Sequence, residues 1–256
     1  MKITFLGTGT SVGIPAIGCS CPVCCSTDPR NRRRRTSVYV ESESTKVVVD
    51  TPPDFREQAL AYKIMRVDAV LFTHGHADHI FGFDDIRSFN MIQKQVIPAY
   101  ATASTLSDVK RAFDYVGPDG EDGVYRPLID FIAIECRFEV GDLCIEPLHV
   151  EHGAKPTCGF LIEQGGRSFA YVPDCFRMPD SVVDRLHGID VMILDGLRHR
   201  PHKTHLTVAQ ALALLQRIGA GESYLTHMTH DLDHAATERD LPESVRLSYD
   251  GLVLDW

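Results

Sequence analysis

The run Val67-Asp68-Ala69-Val70-Leu71-Phe72 leads directly into Thr73-His74-Gly75-His76-Ala77-Asp78-His79, so three histidines and an aspartate fall within six positions. The run is short, apolar, and rich in β-branched and aromatic residues, which predicts a buried strand ending at a Gly-containing turn. A cluster placed there sits at the carboxyl end of a strand, where open α/β sheets hold their sites. Imidazole nitrogens and a carboxylate oxygen are ligands that zinc, manganese and iron accept. Four such donors in six residues cannot all reach one ion with good geometry. The alternate pair His74 and His76 can share one ion. Asp78 and His79, past the turn, point elsewhere and predict a second ion alongside.

The chain around this cluster has 256 residues, 44% hydrophobic and 24% charged, which suits a globular domain. No apolar run approaches the roughly 20 residues of a membrane span. The start, Met1-Lys2-Ile3-Thr4-Phe5-Leu6-Gly7, reads as a strand and lacks the long apolar core of a signal peptide, so a cytoplasmic location is expected. A net charge of −9 argues against general nucleic-acid binding, whose affinity comes from neutralising phosphates. The local exception is Arg30 followed by Arg32, Arg33, Arg34 and Arg35, either a solvated basic loop or a rim that draws in an anion.

Along the chain, Lys2 to Gly7 is the first strand and Thr8 to Pro15 a Gly/Thr/Ser loop. An irregular insert follows, long enough to suggest function. Residues 36–40 and 46–50 read as a hairpin pair. A helix is expected from Pro53 to near Met65, and another over Ala103 to Tyr115 with Ser104 as cap. Val116 to Tyr125 is Gly- and Asp-rich and reads as a loop. Residues 131–134, 144–150, 157–162, 168–172, 191–195 and 223–226 read as strands. Pro179 to Leu186 and the strongly amphipathic Thr207 to Ile218 read as helices. Val245 to Leu247 and Leu252 to Leu254 are expected to close the chain as a hairpin over Asp250-Gly251. Grouped strands with helices between the groups favour two sheets packed face to face with helices outside, in one domain over residues 1–256 with a cysteine-rich insert at about 15–35.

A two-ion site needs further donors. His152, Asp174 and His227 each follow an apolar strand-like run and precede a turn. Taken singly, a histidine at a strand end is more often an ordinary surface or capping residue; together they answer the demand of the first cluster. Asp50 also ends a strand, and either fixes the tautomer of a liganding imidazole or caps the next helix. Eight cysteines without an export signal do not imply disulfides. Cys136, Cys144, Cys158 and Cys175 are scattered, and three of them lie in strand-like runs as small hydrophobes. Cys19, Cys21 and Cys24 offer three thiolates at C-x-C-x2-C spacing, a zinc site short of one ligand, which His230 would supply. Cys25 has no assigned role.

His74-x-His76-x-Asp78-His79 after a strand, with His152, Asp174 and His227 later, resembles the metallo-β-lactamase superfamily of binuclear hydrolases, over nearly the whole chain. The resemblance implies an α/β (α+β) four-layer αββα sandwich with the metals at one end of the paired sheets. It implies that His74, His76 and His152 hold one ion, that Asp78, His79 and His227 hold the other, and that Asp174 bridges them. The cysteine stretch looks like that of the PhnP-type cyclic phosphodiesterases (phosphoribosyl 1,2-cyclic phosphate phosphodiesterase), in which a structural zinc on three cysteines and a histidine pins the insert near the site. The same likeness places His205 near the scissile phosphate, with His199 and His202 close enough to compete. His149, His187 and His234 are left as structural or surface residues.

The implied function is a binuclear metal-dependent phosphodiesterase acting on small, cyclic phosphodiesters by a hydroxide bridging the metals, with His205 and Asp78 as catalytic residues. Its implied cofactors are two divalent metals (zinc, manganese or iron) and one structural zinc. The expected partners are a small phosphodiester and a second copy of the chain in a homodimer, without a membrane or a nucleic-acid polymer. The alternatives on the same fold are a thioester or lactone hydrolase, an RNase Z-like nuclease, and a non-catalytic cofactor-biosynthesis protein like that of the pyrroloquinoline-quinone pathway. The intact histidine cluster argues against the last, and the lack of a basic, Gly-rich arm argues against the nuclease.

Overall fold

A computed structural model describes residues 1–117 and 125–255. The first half of the chain runs β1 (Lys2–Gly7), β2 (Ser37–Glu41), β3 (Lys46–Val49), α1 (Phe55–Ala61), β4 (Ala69–Leu71), the single turn α2 (Ala77–Ile80), α3 (Arg87–Gln93), β5 (Ile97–Ala101), α4 (Ala103–Ala112) and β6 (Ile129–Ala133). The second half runs β7 (Phe138–Val140), β8 (Leu143–His152), β9 (Lys155–Gln164), β10 (Arg167–Val172), α5 (Asp180–Arg185), β11 (Val191–Asp195), α6 (Val208–Ile218), β12 (Glu222–Thr226), α7 (His234–Asp240), β13 (Val245–Leu247) and β14 (Val253–Asp255). One sheet has the order β14-β1-β2-β3-β4-β5-β6, and the other β13-β12-β11-β10-β9-β8-β7.

The central strands are apolar at nearly every position because both faces of each sheet are covered. Side chains alternate across a strand. Val47 and Val49 of β3 and Ala69 and Leu71 of β4 therefore face Phe169, Tyr171, Val191 and Ile193 of the other sheet. The intervening Val48 and Val70 pack with Phe55, Phe89 and Val109 of the helices outside the first sheet. On the second sheet, Ala170, Val172, Met192 and Leu194 pack outward against Ala211, Leu215 and Ile218 of α6. The result is the four-layer αββα sandwich. Truncating an inter-sheet side chain such as Phe169 to alanine costs about 3–5 kcal/mol.

Local chemistry moves several expected boundaries. The first helix starts at Phe55 and stops at Ala61, well before Met65, because Lys63 takes a left-handed φ of 54°. α4 is capped by Thr102, whose hydroxyl accepts from the Thr105 N–H, and not by Ser104. α6 keeps its expected extent, with Thr207 and Gln210 forming a capping box and Gly219 a left-handed stop. The closing hairpin is not formed. β13 pairs in parallel with β12, whereas β14 pairs antiparallel with β1 in the other sheet. The chain crosses between sheets at Asp250, whose carboxylate accepts from the Thr8 hydroxyl at 2.9 Å and the Arg34 N–H at 2.8 Å. The expected loop over Val116 to Tyr125 lies, in residues 118–124, outside the described residues.

Candidate metal centre

Strand direction builds the site. β3 and β4 are parallel, and so are β10, β11 and β12. β8 runs antiparallel to β9, which runs antiparallel to β10, so β8 points the same way as β10. Asp50 follows β3 and the His74–His79 segment follows β4. His152 ends β8, Asp174 follows β10, Asp195 ends β11 and His227 follows β12. The carboxyl ends of both sheets thus deliver side chains to one edge of the sandwich, the first sheet giving four donors and the second three.

These donors meet in overlapping sets that include His74, His76 and His152; His74, His79 and Asp174; Asp78, His79 and His227; and His152 and Asp174 with His205, each with ligand atoms within 4.8 Å of one another. Asp174 stands between them. Its Oδ2 lies 3.1 Å from His79 Nε2, and its Oδ1 lies 3.4 Å from His152 Nε2 and 3.6 Å from His227 Nε2. Asp78 Oδ2 lies 3.5 Å from His79 Nε2 and 3.6 Å from His227 Nε2. All are buried except His76, which is exposed, and Asp78, which is half-buried.

Outer partners fix which nitrogen each imidazole turns inward. The Thr73 hydroxyl donates to Asp50 at 2.9 Å, so its oxygen is left to accept from His74 Nδ1 at 3.0 Å. His79 Nδ1 donates to Asp50 Oδ2 at 2.8 Å, and His152 Nδ1 to the Thr204 carbonyl at 2.8 Å. In each ring Nδ1 is engaged by an outer acceptor, which turns Nε2 inward. Of the two readings of Asp50, the geometry supports tautomer control: Asp54, not Asp50, precedes α1, and Asp50 is fully buried against His79 and Thr73. Asp50 and His227 both adopt left-handed φ, 62° and 59°, a sparsely populated state for residues other than glycine.

The donor set fits divalent cations. Among the described residues, His79 Nε2, Asp174 Oδ2 and both ring nitrogens of His227 are buried atoms with no hydrogen-bond partner. Although 3.1 Å apart, His79 Nε2 and Asp174 Oδ2 make no hydrogen bond with each other, and with His74 they form one donor set. Burial opposes ionisation of Asp174, but His227 and His79 hold its carboxyl well below the usual range. Burial likewise opposes a charge on His79, and Asp174, Asp50 and Asp78 outweigh it. Burial and the His79 charge keep His74 neutral. A buried cluster with carboxylates and inward-facing ring nitrogens suits positive charge, held by His79 as a proton or by a bound cation in its place.

Next to this cluster lies a pair that the sequence reading only half found. His205 Nδ1 lies 2.7 Å from Asp195 Oδ2, which also accepts from the Cys175 N–H at 3.0 Å. His205 Nε2 lies 3.7 Å from Asp174 Oδ1. Burial, reinforced by His227, pushes His205 down to about 4, so it rests neutral and not protonated. Asp195 escaped notice although it ends an apolar strand in the same way as the other donors. The His202 ring lies tilted against that of His205, with centroids 5.0 Å apart, while His199 is exposed.

The cysteine insert closes a second cluster. Cys19, Cys21 and Cys24 Sγ lie 3.2, 3.4 and 3.4 Å from His230 Nδ1. The Cys24 N–H draws the Cys21 thiol down to about 6, and desolvation pushes Cys24 up to about 11. Four N and S donors round one point suit tetrahedral zinc. His230 sits three residues beyond His227, so the insert is tied to the strand-end loop that carries an active-site donor. Cys25 is exposed; Cys158 and Cys175 are buried, Cys144 is half-buried and Cys136 exposed.

The arginine run is mostly not a rim. Arg33 is buried and donates to the Thr229 carbonyl at 3.0 Å and the Leu232 carbonyl at 2.8 Å, bracing the His227–His230 loop. Arg35 pairs with Asp54 at 2.8 Å, while Arg32 is exposed.

Residues 45–228 match the β-lactamase superfamily domain. The whole chain superposes on the crystal structure of a diphosphatase from the PhnP family with a TM-score of 0.91 and 38% identity, covering 100% of this chain and 97% of that one. It also superposes on zinc-bound PqqB from Methylobacterium extorquens, at 24% identity and a TM-score of 0.81 over 100% of both chains, a likeness of fold. Coenzyme PQQ synthesis protein B of Methylobacterium nodulans is 29% identical over 77% of this chain and 73% of its own. An octanoyltransferase of Porphyromonas gingivalis is 34% identical over 98% of this chain, which spans only about half, 51%, of that relative. With the fold, the strand-end donors and a family match over most of its length in agreement, the chain belongs to the metallo-β-lactamase superfamily.

Proposed function

We propose that the protein is a metal-dependent hydrolase of small phosphodiesters, cyclic ones included. The observation that carries this reading is the full-length likeness, at 38% identity, to a diphosphatase of the PhnP family, in a chain whose histidine and aspartate donors gather at one edge of the sandwich. His74, His76 and His152 would hold one divalent ion and Asp78, His79 and His227 a second, with Asp174 between. When bound, two such ions supply hydroxide near neutral pH and clamp phosphoryl oxygens.

The chain's own residues supply the proton path. Neutral His205 carries its proton on Nδ1, facing Asp195, and presents a free lone pair at Nε2. It accepts a proton there during attack and passes it to the leaving oxygen. Burial raises the Asp195 carboxyl well above the usual range, against His227 and the Cys175 and Leu206 N–H groups. Asp195 thus anchors the Nδ1 side of the ring and becomes the counter-charge only as the imidazolium forms. General acid–base transfer of this kind contributes about 10²–10⁴-fold. Asp78, its carboxyl kept ionised beside His79 and His227, orients the attacking water. The net acidic chain suits a small substrate better than a nucleic-acid polymer.

A second reading, hydrolysis of a thioester or other acyl ester, draws on the octanoyltransferase likeness, although half of that relative lies outside the matched region. Chelated protein reconstituted with zinc, manganese or iron is assayed on 2′,3′-cyclic AMP, bis(p-nitrophenyl) phosphate and an octanoyl thioester. Turnover of the phosphodiesters, lost on chelation and in Asp174→Ala, is the expected outcome. Turnover of the thioester alone would replace the phosphodiester reading, and none on any ester would favour a non-catalytic role.

A further inference from the structure

The tip of the β8–β9 hairpin places a lysine beside the metal centre. In the antiparallel register His152 is paired directly with Lys155 across the turn. Directly opposed residues in such a pair project from the same face of the sheet. Lys155 therefore leaves the strand on the side to which His152 sends its inward nitrogen. Its ammonium does not drift freely: Nζ lies 2.7 Å from Asp108 Oδ2 on α4, while the side chain stays half exposed. Asp108 is itself fixed. A Cβ built on Gly75, between the donors His74 and His76, would lie 2.6 Å from Asp108 Cβ and 2.7 Å from its Oδ2. The carboxylate thus rests on the backbone of the histidine cluster and holds the lysine against it. Arg111 also pairs with Asp108. Two cations share one anion, so this trio carries one net positive charge beside the Gly75 backbone, with no other carboxylate paired to either cation among the described residues.

We propose that Lys155, held by Asp108, is a substrate-positioning residue that binds a second anionic group of the substrate, beyond the phosphoryl group at the metals. The inference rests on the phosphodiester reading for its substrate, and its geometry is independent of that reading. It assigns preference to substrates with two anionic groups over simple monoanionic diesters. An ammonium at this position acts on ground-state binding, so its loss raises KM and leaves kcat in place.

Calorimetric binding to the metal-loaded full chain separates the two ideas, with methyl phosphate and propane-1,3-diyl bisphosphate as probes. The unsubstituted protein binds the bisphosphate at least tenfold more tightly than methyl phosphate. Lys155→Ala removes that advantage and leaves methyl phosphate affinity and metal content unchanged, while Lys155→Arg retains most of it. An advantage that survives in Lys155→Ala, an equal loss for both probes, or no binding of either overturns the assignment. If the Lys155-dependent advantage persists while no phosphodiester is turned over, the reaction assigned above fails and the role of Lys155 stands.

Discussion

Asp195 Oδ2 lies 2.7 Å from Nδ1 of His205, linking the last residue of β11 to the loop that enters α6. The carboxylate is fully buried and points the free Nε2 of the ring towards Asp174. Asp195→Asn keeps the size of the side chain and removes a group that, although burial raises its carboxyl, can ionise beside a newly formed imidazolium. It is expected to lower kcat about 10²-fold with little change in KM or bound metal. Steady-state kinetics beside elemental analysis checks this; metal lost in step with kcat would reduce Asp195 to a scaffold.

The insert makes a separate claim on metal. Native protein is expected to carry three ions per chain, two at the histidine cluster and one on Cys19, Cys21, Cys24 and His230. His230→Ala should bring the count to two. It should also lower the melting temperature, at about 2–4 °C for each kcal/mol lost in a domain of this size. Elemental analysis and a thermal melt read both, and a variant that keeps all three ions contradicts the assignment.

Arg33 looks from the sequence like a cation for drawing in substrate, but its guanidinium is buried and bound to main-chain carbonyls. Arg33→Met leaves those acceptors without a donor, at a cost of about 1–3 kcal/mol for each group left unpaired. Urea unfolding should show that loss, while the dependence of KM on ionic strength stays as it was. A changed salt dependence would restore the substrate-steering role.

Asp250 gives the fold a pH dependence outside the metal centre. Burial raises its carboxyl from the ordinary 3.8 to about 7, against hydrogen bonds from Arg34 and Thr8. Because the folded value lies above the unfolded one, the folded state holds the proton more tightly. Its stabilising contribution is complete below about pH 4 and is lost as the pH rises through about 7. Asp250→Asn should flatten that part of the stability profile, measured by denaturant unfolding from pH 4 to 8. An unchanged slope would mean that the carboxylate is already ionised in the fold.

Much of this could be read from the chain because the donors obey one local rule, an apolar strand followed by a polar side chain and a turn. His74, His152, Asp174 and His227 satisfy it, and the structure brings them together. Asp195 satisfies it too. It was missed because its partner is an imidazole from the loop before α6, a pairing that no spacing encodes. The final strands failed for a related reason. A turn signal at Asp250-Gly251 specifies a reversal but not which sheet receives the next strand, and contacts to Thr8 and Arg34 decide that. Arg33 shows the converse, since a run of like charges carries no mark of which member lies inside.

Each sheet contributes only part of the cage, the first His74, His76, Asp78 and His79, the second His152, Asp174 and His227. A nascent chain that has formed only its first sheet offers a partial chelate, and one whose sheets have not docked offers no bridging carboxylate. Ion capture at the proposed centre would therefore begin when the two layers close, and ions bound there would act as a latch across the seam. Metal occupancy would then be a record of completed folding, and a chain without metal an unlatched sandwich.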